Sequence, residues 1–194
     1  MATRVLSAKG PKRRRAPAAG GRTHGGGGNR RRFVIHKHSA QRLRYDLLIE
    51  ADGVLRSWAV PGGLSVDPRQ KRLAMPSEQR PREYGAFEGV VKGNRGADAL
   101  IVWDRGTYRN LSERAGKRIT IEDALEGGNA LVWLEGEKLR GGFELTRIAS
   151  GEQERWIVVK HRDEEADAHR DPVRMQPESV LSGRTVEQVR GEAR

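Results

Sequence analysis

FVIHKHSAQRLRYDLLIE, residues 33–50, is the stretch on which the reading of the fold turns. Side chains along a strand point alternately to opposite faces. In the second half of the stretch, Tyr45, Leu47 and Ile49 therefore face one way and are expected to be core. Arg44, Asp46, Leu48 and Glu50 face the other way. That second set is polar except for Leu48, an apolar residue that marks a changed site. On the preceding strand His36 and His38 likewise share a face. Imidazole nitrogen and carboxylate oxygen together suit Mn²⁺ or Zn²⁺, so His36, His38 and Asp46 form a candidate metal set. An ordinary surface His-x-His is the competing reading, and the spacing does not decide between them.

Outward from this stretch, short β-branched or aromatic runs recur between Gly, Asp, Asn and Pro. This is the signature of an antiparallel sheet closing into a barrel or sandwich. Strands are expected near 33–38, 43–50, 54–60, 87–91, 99–103, 131–134, 142–148 and 155–160. The Asp-Gly pair of EADG, residues 50–53, predicts a hairpin turn between the second and third. Helix is sparse. Thr120 with Asp123 predicts a capped helix IEDALE stopped by Gly127 and Gly128, and Thr185 with Gln188 predicts a second near the C-terminus. Trp58, Trp103, Trp133 and Trp156 each fall in a strand and are expected to pack the core.

The 194 residues are 36% hydrophobic and 32% charged, which suits one modest core plus an unfolded segment. With no cysteine, disulfides, thiolate metal sites and cysteine nucleophiles are excluded. No apolar run approaches the ~20 residues that span a bilayer, and MATRVLSAKG lacks a secretory apolar segment. The expectation is a cytoplasmic protein with no membrane partner. The net charge of +11 is unevenly spread. Residues 1–32 hold ten Lys or Arg and no acid, whereas the other 162 hold 27 basic and 26 acidic side chains. Residues 1–32 have almost no large apolar side chain to offset the entropy of ordering, so a disordered basic arm is expected there and a folded domain over 33–194. Lys12, Arg13, Arg14, Arg15, Arg30, Arg31 and Arg32 are its candidate DNA-binding residues, since such groups displace counterions condensed on a polyanion. A solvated arm without a partner, a nuclear localisation patch and a transit peptide are the other readings of this segment.

Several segments carry a family resemblance: residues 33–91 from FVIHKHSAQRLRYDLLIE onward, then ALIVWDRGTY, EGEKLRGGFELTRI, WIVVKHRDE and SVLSGRT. From about residue 32 to residue 190 the chain resembles the 3'-phosphoesterase domain of bacterial DNA ligase D. The resemblance implies a compact β-barrel. It further implies a manganese-dependent activity that removes a terminal ribonucleotide or a 3'-phosphate from DNA ends during end joining. The implied partners are DNA ends and a ligase, polymerase or Ku protein, at the bacterial nucleoid.

The family pattern reads Gln-Lys-His-x-Ala-x-x-Leu-His-Tyr-Asp-Phe-Arg-Leu-Glu, with two histidines and the aspartate on the metal and the arginine on phosphate. His38 and Asp46 match the first histidine and the aspartate. Arg44 stands in place of the second histidine, Leu48 in place of the arginine, and His36 at the glutamine. Downstream, Gly62 replaces a lysine and Arg80 replaces a phosphate-contacting histidine, while Arg72, Glu78 and Tyr84 match. The Gly-Glu-Tyr-Gly-Gly segment has become GNRGA, residues 93–97.

Two readings follow. One is an active phosphoesterase with a rearranged metal set of His36, His38 and Asp46, catalytic Tyr84 and Glu78, and Arg72 and Arg80 on the phosphate. The other is a barrel with impaired or lost catalysis that binds DNA ends or a repair partner. In that reading Arg44 either pairs with Asp46 or clamps phosphate directly. Arginine offers no lone pair to a metal, and the substitutions at 44, 48, 62 and 80 all remove metal or phosphate groups at once, which favours the second reading.

Overall fold

β1 (Arg31–Ser39) and β2 (Leu43–Ala51) form the expected antiparallel pair, with His36 opposite Asp46 and His38 opposite Arg44. The computed structural model describes residues 31–39, 43–93 and 96–192. The basic segment 1–30, with Lys12, Arg13, Arg14, Arg15 and Arg30, lies outside the described residues. Arg31 and Arg32 are not part of a free arm: they begin β1, Arg31 pairing with Glu122 and Arg32 with Glu50.

Asp52 and Gly53 both take positive φ, 53° and 78°, the geometry an Asp-Gly hairpin turn requires, and lead into β3 (Val54–Val60). Then come β4 (Lys71–Arg80), a 3-10 turn at Arg82–Ala86, β5 (Gly89–Gly93) and β6 (Gly96–Asn110). A small hairpin, β7 (Glu113–Arg114) and β8 (Lys117–Arg118), precedes helix α1 (Ile121–Gly127). β9 (Asn129–Gly136), β10 (Arg140–Ala149) and β11 (Arg155–Lys160) follow, and two short helices end the chain, α2 (Pro172–Met175) and α3 (Val186–Glu192).

Neighbouring strands run β1-β2-β3-β4-β11-β10-β9-β6, and β6 returns to β1, so eight antiparallel strands close into a barrel. Closure selects the barrel over the sandwich. β5 pairs with β6 outside the ring. β6 can serve β5, β1 and β9 along its length because the register shifts between Ile35 and His36, leaving Trp103 as an extra residue in the bend. Gly106 makes the close pairing with β9 feasible, since a Cβ there would sit 2.1 Å from the Glu135 carbonyl oxygen.

Alternate residues fill the interior: Phe33 and Ile35, Tyr45, Leu47 and Ile49, Trp58 and Val60, Phe143 and Leu145, Trp156 and Val158. Trp58, Trp103 and Trp156 are core as expected, whereas Trp133 is half-buried beneath the Arg109 guanidinium. α1 adds Ile121, Ala124 and Leu125 to the same core. Its Thr120 cap accepts the Asp123 N–H, and Gly128 ends it at a φ of 84° that glycine adopts without strain.

Besides the β7–β8 hairpin, the 3-10 turn and α2, none of which was expected, two elements differ from the sequence reading. β4 was not expected, because among KRLAMPSEQR only Ala74 is buried; backbone pairing to β3 and β11, not an apolar face, holds it. The second face of β2 is not an open polar face either. Asp46, Leu48 and Glu50 are buried, and Leu48 joins Val34, Leu55 and Val102 in a second apolar cluster covered by Tyr84 of the 3-10 turn and Val180 of the C-terminal segment.

That C-terminal segment is tied down at several points. Val180 N–H donates to the Val102 carbonyl (3.0 Å), Trp103 Nε1 to the Gln176 carbonyl (2.7 Å) and Lys37 Nζ to the Pro177 carbonyl (3.3 Å). Lys138 Nζ reaches the carbonyls of Gln176 and Glu178, and burial pushes its ammonium down to about 8. Val186 and Val189 of α3 pack on Ala99 and Ile101. No helix among the described residues is long and apolar enough to cross a membrane.

Candidate functional site

The β1–β2 register places the candidate residues side by side outside the barrel core, under the 3-10 turn. His38 Nε2 lies 2.8 Å from Asp46 Oδ2, but poorly aligned, so that Nε2 and the second oxygen, Oδ1, lack well-formed hydrogen bonds. The Arg44 Nε is 3.5 Å from Oδ1, and its side chain is 45% exposed. Burial alone would raise the Asp46 carboxyl; contact with His38 and the charge of Arg44 instead hold it below the usual carboxylate range.

His36 is fully buried, its ring 6.4 Å from that of His38 and edge-on to Tyr84 at 5.2 Å. Neither of its nitrogens has a well-formed hydrogen-bond partner. Burial, with His38 adding to it, pushes the imidazole from 6.5 down to about 4. The unfolded chain takes up this proton near pH ~6.5 and the folded chain resists it until about 4. Stability should therefore fall as pH drops through that window, by up to about 3 kcal/mol, and level off below it. Urea unfolding midpoints at about pH 7 and about pH 4.5 test this. His36→Gln should remove that part of the pH dependence; a variant with the parent's slope would place the acid sensitivity elsewhere.

Tyr84 forms the opposite wall. The Arg80 guanidinium sits 4.9 Å above its ring and is also 3.2 Å from Glu78, which is itself largely exposed. Burial raises the Tyr84 hydroxyl, partly opposed by Arg80. The structure thus brings His36, His38, Asp46, Arg44, Tyr84 and Arg80 together, with Glu78 at the rim. Arg72 is elsewhere. It shares the inward-facing register of Ala74, donates to Gln70 Oε1 (2.7 Å), and lies over Gly62, where a Cβ would be 2.9 Å from its Nη1. Gly62, having no side chain, leaves the space that Arg72 fills.

The residues present do not fit the divalent manganese ion that the resemblance implies. His38 and Asp46 face one another at 2.8 Å, and Arg44 puts a cation without a lone pair beside the carboxylate. His36 lies edge-on to Tyr84, its ring 6.4 Å from that of His38. Among the described residues no three His, Cys, Asp or Glu side chains converge as metal ligands. What the arrangement can do is hold an anion. Arg44 is exposed enough to leave Asp46, and Arg80 is held in place by the Tyr84 ring.

Sequence reasoning missed two residues here. Phe87 stacks on Tyr84, ring centres 5.9 Å apart and 12° from parallel. The signal was the three-residue spacing, because side chains at i and i+3 eclipse in a 3-10 turn. The Glu88 side chain, 6% exposed, anchors the turn, accepting from Val102 N (2.8 Å) and contacting Ser179 Oγ. Burial opposes its ionisation, but those hydrogen bonds hold its carboxyl below the usual range.

Comparison with known proteins agrees with this architecture. The family model of the DNA ligase D 3'-phosphoesterase domain matches residues 36–147. The multifunctional non-homologous end joining protein LigD of Pseudomonas aeruginosa is 42% identical over 166 residues, which is 84% of this chain and 19% of that protein. The protein of the same name from Mycolicibacterium smegmatis is 37% identical over 134 residues, 69% of this chain and 17% of that protein. The chain thus spans less than a fifth of the length of either relative. With a matched segment covering more than half its length and holding His36, His38, Asp46, Arg72, Arg80 and Tyr84, the chain belongs to the DNA ligase D 3'-phosphoesterase domain family.

Proposed function

We propose that this chain is a DNA 3'-end-binding protein of end-joining repair, in which the family pocket holds a terminal phosphate through Arg44 and Arg80 without a metal ion and without turnover. The observation that carries this reading is the Arg44 guanidinium on Asp46, where the family resemblance places a histidine ligand. Two further observations support it. Leu48 is 1% exposed in an apolar cluster, so its position supplies no phosphate-binding group. Arg80 sits on the Tyr84 ring at the pocket edge.

A phosphate entering the site draws Arg44 from Asp46 and meets Arg80 already oriented, forming charge-assisted hydrogen bonds. Segment 1–30, with eight Lys or Arg and no acid, adds salt-sensitive attraction to the DNA backbone. Such a protein acts at the bacterial nucleoid beside a ligase, a polymerase or the end-binding Ku protein.

The test compares oligonucleotides ending in 3'-phosphate and 3'-hydroxyl, by fluorescence anisotropy and by phosphate release with manganese. Binding should favour the 3'-phosphate by about tenfold, the size of one charge-assisted hydrogen bond. The Arg44→Ala, Arg80→Ala double variant should lose that preference, and no phosphate should be released. Manganese-dependent release above a metal-free control, abolished by His38→Ala, would overturn the reading and establish an active enzyme using His36, His38 and Asp46.

A further inference from the structure

We infer that Phe87 is the stacking surface for the last unpaired base of a DNA 3' strand, so that the site takes single-stranded ends in preference to blunt ones. The inference rests on the 3'-end-binding reading above and adds the form of the end. Among the described residues Phe87 is the one exposed Phe, Tyr or Trp side chain, at 38%; the others are buried or half-buried. It ends an ordered pile: the Arg80 guanidinium lies 4.9 Å from the Tyr84 ring, and the Phe87 ring lies 5.9 Å from that of Tyr84 and nearly parallel to it.

The pile is rigidly mounted. Phe87 N–H donates to the Tyr84 carbonyl (3.1 Å), closing the 3-10 turn. Gly85 is packed so closely that an added Cβ would sit 3.1 Å from Val34. The next residue, Glu88, is locked to Val102 and Ser179. A Cβ at Gly89 would already be in van der Waals contact with the Phe87 ring, so the following strand supports the ring on one side.

A fixed ring costs little entropy when a flat partner lands on it, and every base offers a π-face, which makes such stacking tolerant of sequence. The adjoining charges select a nucleic acid over other flat ligands. Arg80 lies against the Tyr84 ring on which Phe87 stacks, so a cation for the terminal phosphate stands one ring away. In a blunt duplex the terminal base is committed to its pair and to its own stack. An overhang presents a free face.

The experiment measures affinity of the full chain for a 3'-phosphorylated overhang and for a 3'-phosphorylated blunt duplex of matched length. The parent should prefer the overhang by about tenfold, the lower part of the range for one base–aromatic stack. Phe87→Ala should bind both ends alike, and Phe87→Trp should restore the preference. A Phe87→Ala protein that keeps the parent's ratio overturns the stacking inference and leaves phosphate recognition standing. A parent that binds neither end overturns both.

Discussion

Replacing Asp104 by alanine should lower the stability of the fold by about 3–5 kcal/mol, with no change in the exposed surface of the site. Asp104 is fully buried at the bend of β6, and its carboxylate is the organising acceptor for the connection between β9 and β10. Oδ1 accepts from the backbone N–H of Arg105 (2.9 Å), Glu137 (2.9 Å) and Lys138 (3.1 Å), and Oδ2 accepts from Leu139 (2.9 Å). Alanine would leave those donors without their acceptor, at about 1–3 kcal/mol for each one kept from water. Solvent reaching Glu137, which is exposed, moderates the total.

The loss would spread, because the same connection carries Leu139 into the core and Lys138 against Trp103 and the C-terminal segment. Burial outweighs the four backbone donors and raises the Asp104 carboxyl, so its contribution is larger when protonated and declines as pH rises through its folded-state pKa. Asp104→Asn, which keeps one acceptor oxygen, should fall between the parent and alanine. Urea unfolding at neutral pH measures all three proteins, and an alanine variant within about 1 kcal/mol of the parent would show that the connection holds itself.

Asp104 also shows how far the sequence could be read. The alternation in FVIHKHSAQRLRYDLLIE, the Asp52-Gly53 turn and the Thr120 cap are local devices, and each led to the element now seen. β4 could not be found that way, since its order comes from partners distant in the chain. The same holds within the site. The pairing of Arg44 with Asp46 and the common face of the two histidines follow from strand geometry, and the structure shows them together. The family pattern grouped Arg72 with the phosphate residues, yet it lies over Gly62, because an open space elsewhere decides where a long guanidinium goes. Leu48 looked like a lost polar group; its burial depends on a 3-10 turn and a C-terminal segment that no pattern in β2 announces.

Arg44→His should raise manganese affinity by about a hundredfold, measured directly by calorimetry on the folded apoprotein. A unit positive charge about 4 Å from a cation is worth roughly 4 kcal/mol per pair of unit charges near a protein surface, so roughly 8 kcal/mol against a divalent ion, and solvent around the exposed Arg44 side chain reduces that to about a third, close to the ~3 kcal/mol of a hundredfold change. Removing it frees Asp46 Oδ1, and the new imidazole stands opposite His38 in the β1–β2 register, restoring a third donor next to two that are already adjacent. Phosphate release is not expected to follow. Leu48→Arg would place a guanidinium among Val34, Leu55 and Val102, where burial of an unpaired charge destabilises by several kcal/mol, and a lysine at 62 would meet Arg72. Metal binding is thus one substitution away, whereas phosphate release is opposed by the packing around Leu48 and Gly62. A parent chain that already binds manganese tightly, or an Arg44→His chain that binds no better, would mean that Arg44 is not what keeps the ion out.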